Sequence, residues 1–346
     1  ISMDAWLLGA RTDSERNLEA YETGDGAVRT AEFTANRDRF PLEHTIRNTD
    51  QVVSALREAG YSATARLETI AELIVYFDPY PEDGNFPVIL SGISTDTDGD
   101  VFRLEGALEA GRFLEGPQDT GVVIGAWLAE DLGAEVGFPV TFSVRTLDGF
   151  RQIIDGEIAG IVRSENPETN RSLAAIPLAR MQELLEAPDR ASSVYFQAGG
   201  RAEPADVAAE VRELVSRELP DRSGLTVQHR DELAPGAAAA SDADRSSIAV
   251  ILVLLVIIAL VGVSNTMLIA LNERRREIGM MRALGMEDGQ IQRLYLYEAF
   301  GIGLIGSVLG LVLGALLAWP LIRWGVDFSA FLRDLDVGYR VSGVFR

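Results

Sequence analysis

Residues 248–271 read IAVILVLLVIIALVGVSNTMLIAL, a run of 24 positions without one charged side chain. At ~1.5 Å per residue, a helix of this length spans about 36 Å, enough to cross a ~30 Å hydrocarbon core with some tilt. Residues 299–322 form a second uncharged run, and Trp319 and Trp324 lie near its end, where amphipathic rings favour the membrane interface. The sequence therefore predicts two transmembrane helices.

The connection between the two runs, residues 272–298, is rich in arginine. It carries Arg274, Arg275, Arg276, Arg282 and Arg293. Because positive residues in short loops stay on the cytoplasmic side, we expect this connection inside the cell. The residues before 248 and after 322 then lie outside the cytoplasm.

The composition of the chain excludes several kinds of chemistry. A net charge of −21 argues against nucleic acid as a partner. All 31 basic residues are arginine, and without lysine there is neither a P-loop lysine nor Schiff-base catalysis. Cysteine is absent, and the two histidines, His44 and His229, have no metal-like spacing around them. We therefore expect that this chain has no catalytic residue and no metal site, that it binds no cofactor, and that it is not an enzyme.

The part before the first apolar run shows a mixture of helix and strand patterns. Apolar residues at helical spacing predict helices at 48–59, 177–187 and 204–219. Runs rich in Val, Ile, Phe and Tyr predict strands at 87–93, 139–146, 157–162 and 193–197, and residues 121–131 fit a strand that runs into a helix. The sequence predicts an α+β domain followed by α-helical transmembrane segments.

The second apolar run contains two glycine patterns. Gly301–Gly306 matches the GxGxxG dinucleotide fingerprint, but we reject it because it lies inside an uncharged run without a preceding strand. Small residues also recur at every fourth position, at Gly306, Gly310, Gly314 and Ala318. This spacing lets another helix backbone approach closely, so it predicts a packing face; the alternative is glycine that is merely tolerated.

The acidic segment Asp96–Asp100 resembles the start of a calcium-binding loop. The sixth and twelfth positions of such a loop are Gly and Glu, whereas here they are Val101 and Ala107. We therefore expect a solvated turn between strands.

The connection also carries an apolar pattern. Ile278, Met281 and Leu284 recur at three-residue intervals, and Gly279 and Gly285 allow the chain to turn. A short amphipathic helix held between two membrane helices is suited to docking on a soluble partner. The other interpretation is a positively charged anchor and nothing more, and physics alone leaves both open.

Four stretches in and around the connection resemble the signature of FtsX-like ABC transporter permeases. They are Asn265–Met267, Glu273–Gly279, Arg282–Gly285 and Glu298–Ala299. This superfamily includes lipoprotein-releasing and macrolide-exporter permeases.

The part before residue 248 is similar to the extracytoplasmic core domain of the same family, the MacB-like periplasmic core. The similar stretches are Gly121–Gly125, Leu128–Ala129, Leu132–Gly133, Val136–Gly137 and Ile176–Leu178. Tyr21–Gly24 resembles most the lipoprotein-releasing branch.

The resemblance implies a fragment of a four-span permease, with one span before the core domain and three after it. It implies the following organisation: 1–19, the end of a missing first membrane helix or stalk; 20–232, the extracytoplasmic core domain; 233–247, a linker or stalk; 248–271, a transmembrane helix; 272–298, a cytoplasmic coupling loop; 299–322, a transmembrane helix; and 323–346, an extracytoplasmic tail before a missing last span. The chain begins Ile-Ser-Met, which fits that expectation of a missing first span.

The same resemblance implies how the protein works and with whom. A separate ABC ATPase, which uses the ATP, docks on the coupling loop, and a second permease copy or paralogue completes a dimer among membrane lipids. The expected coupling residues are Glu273, Arg274, Arg275, Arg276, Glu277, Ile278, Gly279, Met281, Arg282, Leu284 and Gly285. We expect Ile278, Met281 and Leu284 to make the contact. The multi-pass protein then lies in the inner (plasma) membrane with its main domain periplasmic, and serves lipoprotein release or export of a hydrophobic or peptide substrate.

Two other classes stay as alternatives. A two-span membrane sensor with an extracytoplasmic ligand-binding domain needs a cytoplasmic output domain, which a connection of this length does not supply. A membrane-tethered enzyme needs a nucleophile and a base, and residues 20–232 show no such pair.

Overall fold

The computed structural model describes residues 14–74, 76–77, 80–81, 86–199, 203–219 and 224–324. Side chains are described in these ranges except at 76–77, 80–81, 235–248, 317–318 and 320–324. The chain divides into two compact units at the boundary between Pro235 and Gly236. We name residues 14–235 the core domain and residues 236–324 the membrane unit.

The core domain combines fourteen described strands with seven described α-helices between Ala31 and Leu233. The strands are β1 (Gly26–Thr30), β2 (Ile46–Arg47), β3 (Ser62–Ile74), β4 (Tyr76–Phe77), β5 (Tyr80–Pro81), β6 (Phe86–Ile93), β7 (Leu108–Gly111), β8 (Gly121–Gly125), β9 (Pro139–Arg145), β10 (Arg151–Val162), β11 (Leu173–Pro177), β12 (Arg190–Ala191), β13 (Ser193–Gln197) and β14 (Leu225–His229). The helices are α1 (Ala31–Ala35), α2 (Thr49–Glu58), α3 (Ala126–Leu132), α4 (Pro167–Ser172), α5 (Leu178–Leu184), α6 (Pro204–Glu218) and α7 (Arg230–Leu233).

One half of the core domain is a four-stranded antiparallel sheet in the order β14-β1-β13-β3. Its strands and the helices α2 and α6 follow one another as strand, helix, strand, strand, helix, strand, which is the ferredoxin-like arrangement. Buried residues of both helices, among them Val52, Leu56 and Val211, share one core with Val28 and Phe196 of the sheet. The spacing of these apolar residues explains why α2 and α6 form as amphipathic helices.

The other half is inserted between β3 and β13 and closes into a ring of six strands. The order is β3-β6-β11-β8-β10-β9, and β9 pairs again with β3. The largest core cluster belongs to this ring, with Leu67, Leu90, Ile124 and Phe142 fully buried. Closing the sheet removes most exposed strand edges. The long strand β3 serves both halves, with its first residues pairing with β13 and its later residues with β9.

The predicted α+β class is confirmed, together with the helices and strands expected from the sequence. The helices α2, α5 and α6 lie where apolar spacing indicated them, and β8 runs into α3 as expected. The sequence interpretation missed five strands of the main sheet: β1, β3, β7, β11 and β14. The first half of β3, Ser62–Arg66, consists of small or polar residues, yet four of these five residues are buried. Tertiary packing on both faces therefore decides this strand, where local preference does not.

The membrane unit consists of three helices: α8 (Pro235–Glu273), α9 (Arg275–Ala283) and α10 (Asp288–Trp324). Within them, Ala249–Glu273 and Asp288–Leu316 are long and apolar enough to cross a membrane. Large apolar side chains on both helices, such as Val261, Leu268 and Leu304, are more than half exposed. Such an apolar surface is stable in contact with lipid, whereas its exposure to water would be energetically unfavourable.

Several predicted boundaries differ from the structure. Residues 233–247 were expected to be a linker, a stalk or the start of the membrane helix, and the structure has the last of these, a helix from Pro235 that is continuous with the first span. The second long helix begins at Asp288 rather than Ala299, so residues 288–298 are helix and not loop. Charged residues mark where a span leaves the hydrocarbon, but they do not end an α-helix, because arginine and glutamate are good helix formers. Residues 14–18 are helical and lead into a π-helical turn, Glu19–Thr23, whereas 1–13 and 325–346 lie outside the described residues.

Candidate functional site: the connection between the two long helices

The connection is a short helix bounded by two breaks. The helix α8 ends at Glu273, Arg274 leaves the helical path with ψ at 12°, and α9 follows at once. Only residues 284–287 separate α9 from α10. The connection proper is therefore 274–287.

Gly285 ends α9 in a left-handed conformation, with φ at +93°. The backbone N–H of Met286 donates to the carbonyl of Met281 at 3.1 Å, which satisfies a carbonyl that the ended helix would otherwise leave free. Glycine adopts this φ without a Cβ clash, which is why the chain can turn back here.

Two ion pairs hold the connection to the start of α10. Arg274 Nη1 lies 2.9 and 3.2 Å from the two carboxylate oxygens of Glu298, and Arg282 Nη2 lies 2.8 Å from Asp288 Oδ1. All four side chains are well exposed, so solvent screens both pairs. Their role is to orient the connection rather than to stabilise the unit.

The apolar residues of the connection fall into two groups. Ile278, Met281 and Met286 are half-buried, and Ile291 at the start of α10 is 6% exposed. By contrast, Met280 is 60% exposed and Leu284 is 81% exposed.

Of the three residues expected to make a contact, Leu284 alone is exposed. Ile278 and Met281 are instead half-buried. Spacing of three residues did not distinguish the inward face from the outward one. Met280, which the sequence interpretation passed over, lies one helical turn before Leu284 and is its exposed neighbour.

The other expected coupling residues are also accessible. Glu273, Arg274, Arg275, Arg276, Glu277, Gly279, Arg282 and Gly285 are all exposed. The connection thus presents two exposed apolar side chains that are surrounded by exposed arginine side chains.

The predicted packing face of α10 meets no neighbour in the described chain. A Cβ added at Gly306, Gly310 or Gly314 would find no atom within 4 Å among the described residues. The side chain of Ala318 lies outside the described set. Helix packing at these positions stays a prediction.

The core domain holds the residues before α8 firmly. Arg230 Nη1 lies 3.2 Å from Glu19 Oε2, and the backbone N–H of Arg230 donates to the carbonyl of Asp25 at 3.1 Å. Gln197 Nε2 donates to the other Glu19 oxygen at 2.9 Å. These contacts tie the first described segment of the core domain to α7, the helix that immediately precedes α8.

Asp96–Asp100 differs from the expected solvated turn. Asp98 is 3% exposed and accepts two hydrogen bonds from Arg66, at 2.7 and 2.8 Å. Nothing in the local sequence links the two residues, which lie on different elements. No group of three or more acidic, histidine or cysteine side chains among the described residues could hold a metal ion.

Two family matches cover most of the chain. Residues 1–214 match the family described as "MacB-like periplasmic core domain", and residues 249–343 match "FtsX-like permease C-terminal". The chain belongs to the MacB-type, FtsX-like family of ABC transporter permeases. Both matches fit the two units, a mixed α+β domain and a pair of apolar helices joined by a short connection.

Curated relatives of this permease carry names from the same family. The lipoprotein-releasing system transmembrane protein LolC of Neisseria meningitidis is 23% identical over 253 residues, which are 71% of this chain and 59% of the relative. The uncharacterized ABC transporter permease YknZ of Bacillus subtilis is 28% identical over 156 residues, 42% of this chain and 39% of the relative. The permease therefore spans at most 59% of the length of these relatives.

Among solved structures, the periplasmic region of MacB from Actinobacillus actinomycetemcomitans is 14% identical, with a TM-score of 0.43 over 61% of this chain and 91% of that chain.

Proposed function

We propose that this permease transmits force from a separate cytoplasmic ABC ATPase to its core domain, and that residues 274–287 form the docking element. The observation that carries the proposal is the exposure of Met280 and Leu284 on a helix held at both ends. Exposed apolar side chains on a rigid short helix, rimmed by polar residues, are typical of a protein interface. The neighbouring arginines supply positive charge, which favours a partner whose surface is acidic.

The path from the docking element to the core domain supports transmission. The helix α8 has 39 residues without a break, which at ~1.5 Å per residue makes a rod of about 58 Å. Its first residue follows α7 almost directly, and α7 is tied to Glu19 by Arg230. Only Ala234 separates α7 from α8, so the chain passes from the folded core into the long helix without a linker.

The remaining parts of the proposal rest on the family. The permease lies in the inner membrane as a multi-pass protein, with the core domain on the extracytoplasmic side, and pairs with a second copy or a paralogue. The ATPase hydrolyses ATP, and this chain is not itself an enzyme. Its work is lipoprotein release or the export of a hydrophobic or peptide substrate.

Co-purification with the ATPase partner tests the docking element. The test co-expresses the full permease with an ABC ATPase that is encoded by a neighbouring gene. We expect Leu284→Glu to abolish co-purification and Met280→Glu to weaken it, because a carboxylate would be buried in the interface. Phe150→Glu is the matched control, since Phe150 is 69% exposed but belongs to the core domain.

An intact complex with both Met280→Glu and Leu284→Glu would overturn the assignment of 274–287. Loss of the complex with Phe150→Glu as well would mean that the assay reports general damage and not docking.

A further inference from the structure

The core domain contains a cavity of about 230 Å³ whose lining carries unpaired charges of both signs. The volume is many times what one water molecule needs and lies just below the ~300 Å³ at which small-molecule pockets begin. All the lining residues belong to the core domain.

Arg29 supplies positive charge to this cavity. It is 7% exposed, and its Nε donates to Ser193 Oγ at 2.7 Å while its Nη2 donates to the Tyr195 hydroxyl at 3.1 Å. Within the described part of the chain, Nη1 has no hydrogen-bond partner and no carboxylate forms an ion pair with this guanidinium. A buried cation held only by neutral groups favours an anionic ligand.

Arg37 lines the same cavity and likewise lacks a carboxylate partner among the described residues. Its Nη1 donates to the backbone carbonyls of Leu233 and Glu232, at 2.6 and 3.5 Å. Among the residues that the structure describes, no carboxylate lies within ion-pair distance of it. Arg66, the third arginine of the lining, is already neutralised by Asp98.

Glu22, Glu68 and Glu168 supply negative charge to the cavity. Their hydrogen-bond donors are neutral: Asn166 donates to Glu22 at 3.1 Å, the Tyr195 hydroxyl to Glu68 at 3.2 Å, and Ser172 to Glu168 at 3.2 Å. In the described ranges none of these carboxylates pairs with an arginine. Burial raises the pKa of Glu22 most, and the Glu168 and Glu68 carboxylates add to this rise, whereas the hydrogen bond from Asn166 and the charge of Arg37 lower it.

Between these charges the walls combine apolar side chains with the hydroxyl groups of Thr23, Ser91, Thr169 and Ser172. Phe33, Phe40, Ile89 and Leu173 line the cavity together with Tyr21. A ligand for this space needs an anionic group, a cationic group and an apolar body.

We propose that this cavity binds a small zwitterion with an apolar body, of the chemical class of a free α-amino acid with an aliphatic or aromatic side chain. Its carboxylate lies against Arg29 and Arg37, and its ammonium group lies against Glu22, Glu68 and Glu168. The ligand thereby supplies a counter-charge to arginines and carboxylates that form no ion pair with each other in the described chain. This binding is independent of the ATPase and of the docking element.

Isothermal titration calorimetry on the full permease in detergent micelles tests the proposal, with L-leucine and L-phenylalanine as probes. We expect at least one of them to bind with a Kd below about 1 mM. N-acetyl-leucine lacks the ammonium group and leucinamide lacks the carboxylate, so each should bind at least about tenfold more weakly.

Two variants and two matched controls locate the site. Glu22→Gln keeps the size of the side chain and removes one charge, and Arg29→Met removes the guanidinium; each should weaken binding by about tenfold or more. Glu213→Gln and Arg217→Met make the same changes on the exposed face of α6 and should leave binding unchanged.

The proposal fails if neither amino acid binds up to about 10 mM, the weak end of specific recognition. It also fails if N-acetyl-leucine and leucinamide bind as well as leucine, or if Glu22→Gln leaves binding unchanged. If Arg29→Met does not fold, the change in amino-acid binding by Glu22→Gln alone still tests the proposed site.

Discussion

Arg66 and Asp98 form a two-point ion pair inside the core domain, with side chains that are 4% and 5% exposed. Arg66 lies in β3, opposite Ser193 of β13 on one side and Ile93 of β6 on the other. Its guanidinium also stacks 3.5 Å from the centroid of the Phe102 ring. The pair therefore holds the turn after β6 against the strand that both halves of the domain share.

Asp98→Asn should destabilise the core domain by about 3–5 kcal/mol, because it leaves a buried guanidinium without its counter-charge. Asp96→Asn is the matched control: the side chain is exposed in the same turn, and a change within about 0.5 kcal/mol is expected. Urea unfolding of the full permease in detergent, followed by circular dichroism, measures both. Equal stability of the two variants would contradict a structural role for the buried pair.

Asp119 should make the core domain sensitive to acid. The Arg112 guanidinium, followed by the backbone N–H groups of Glu115 and Gly121, holds the pKa of Asp119 well below its usual range. A carboxyl whose folded pKa is depressed contributes stability above its unfolded pKa of about 3.9, and this stability is lost as the pH falls through the folded value.

Asp119→Asn should therefore lower the Tm at pH 7 and reduce the further fall in Tm between about pH 5 and pH 3. Asp148→Asn, in an exposed turn, should change neither quantity. Thermal unfolding over that pH range gives the answer, and an unchanged acid profile in Asp119→Asn would exclude this carboxyl as its source.

Gly285→Ala should loosen the end of α9 by about 1 kcal/mol, because a Cβ is strained at φ +93°. Gly289→Ala places the same methyl group in the first turn of α10, where an added Cβ meets no described atom, and should be neutral or slightly stabilising. Limited trypsin digestion in detergent should cut after Arg282 faster in Gly285→Ala than in the parent protein. Equal cleavage of both variants would show that the turn does not depend on glycine.

Gly310→Leu should weaken association between copies of the permease or with a paralogue, since the bulky side chain prevents close approach of helix backbones. Leu309→Val alters a neighbouring exposed position without adding bulk and serves as the control. Förster transfer between labelled permeases in lipid bilayers reports association. Unchanged transfer with Gly310→Leu would mean that these glycines are tolerated rather than used.

The sequence alone was sufficient to predict those elements whose structure depends on a single local property, such as hydrophobicity or helical spacing. An uncharged run of 24 residues has few stable places other than a membrane, so both long helices could be predicted. Amphipathic spacing likewise located α2 and α6, since an isolated helical face must be buried somewhere. The family resemblance rested on residues of the connection and the core domain, and the family matches confirm it.

The sequence was insufficient to predict strands and ion pairs whose contacting residues lie far away in the chain. The strand β3 contains few large apolar residues in its first half, and its burial comes from β13, β6 and β9, which are far away in the chain. The ion pair of Arg66 and Asp98 and the charged cavity around Arg29 arise in the same way. No local pattern specifies them.

For the connection, the sequence determined that a short amphipathic segment lies between two membrane helices, and that Gly285 can end it. Only the tertiary structure decided which apolar side chains remain accessible. Ile278 and Met281 are half-buried, whereas Met280 and Leu284 are exposed, and Ile291 in the first turn of α10 is buried. A three-residue spacing defines a stripe on a helix, but which side of the helix the rest of the chain covers depends on where the next helix starts.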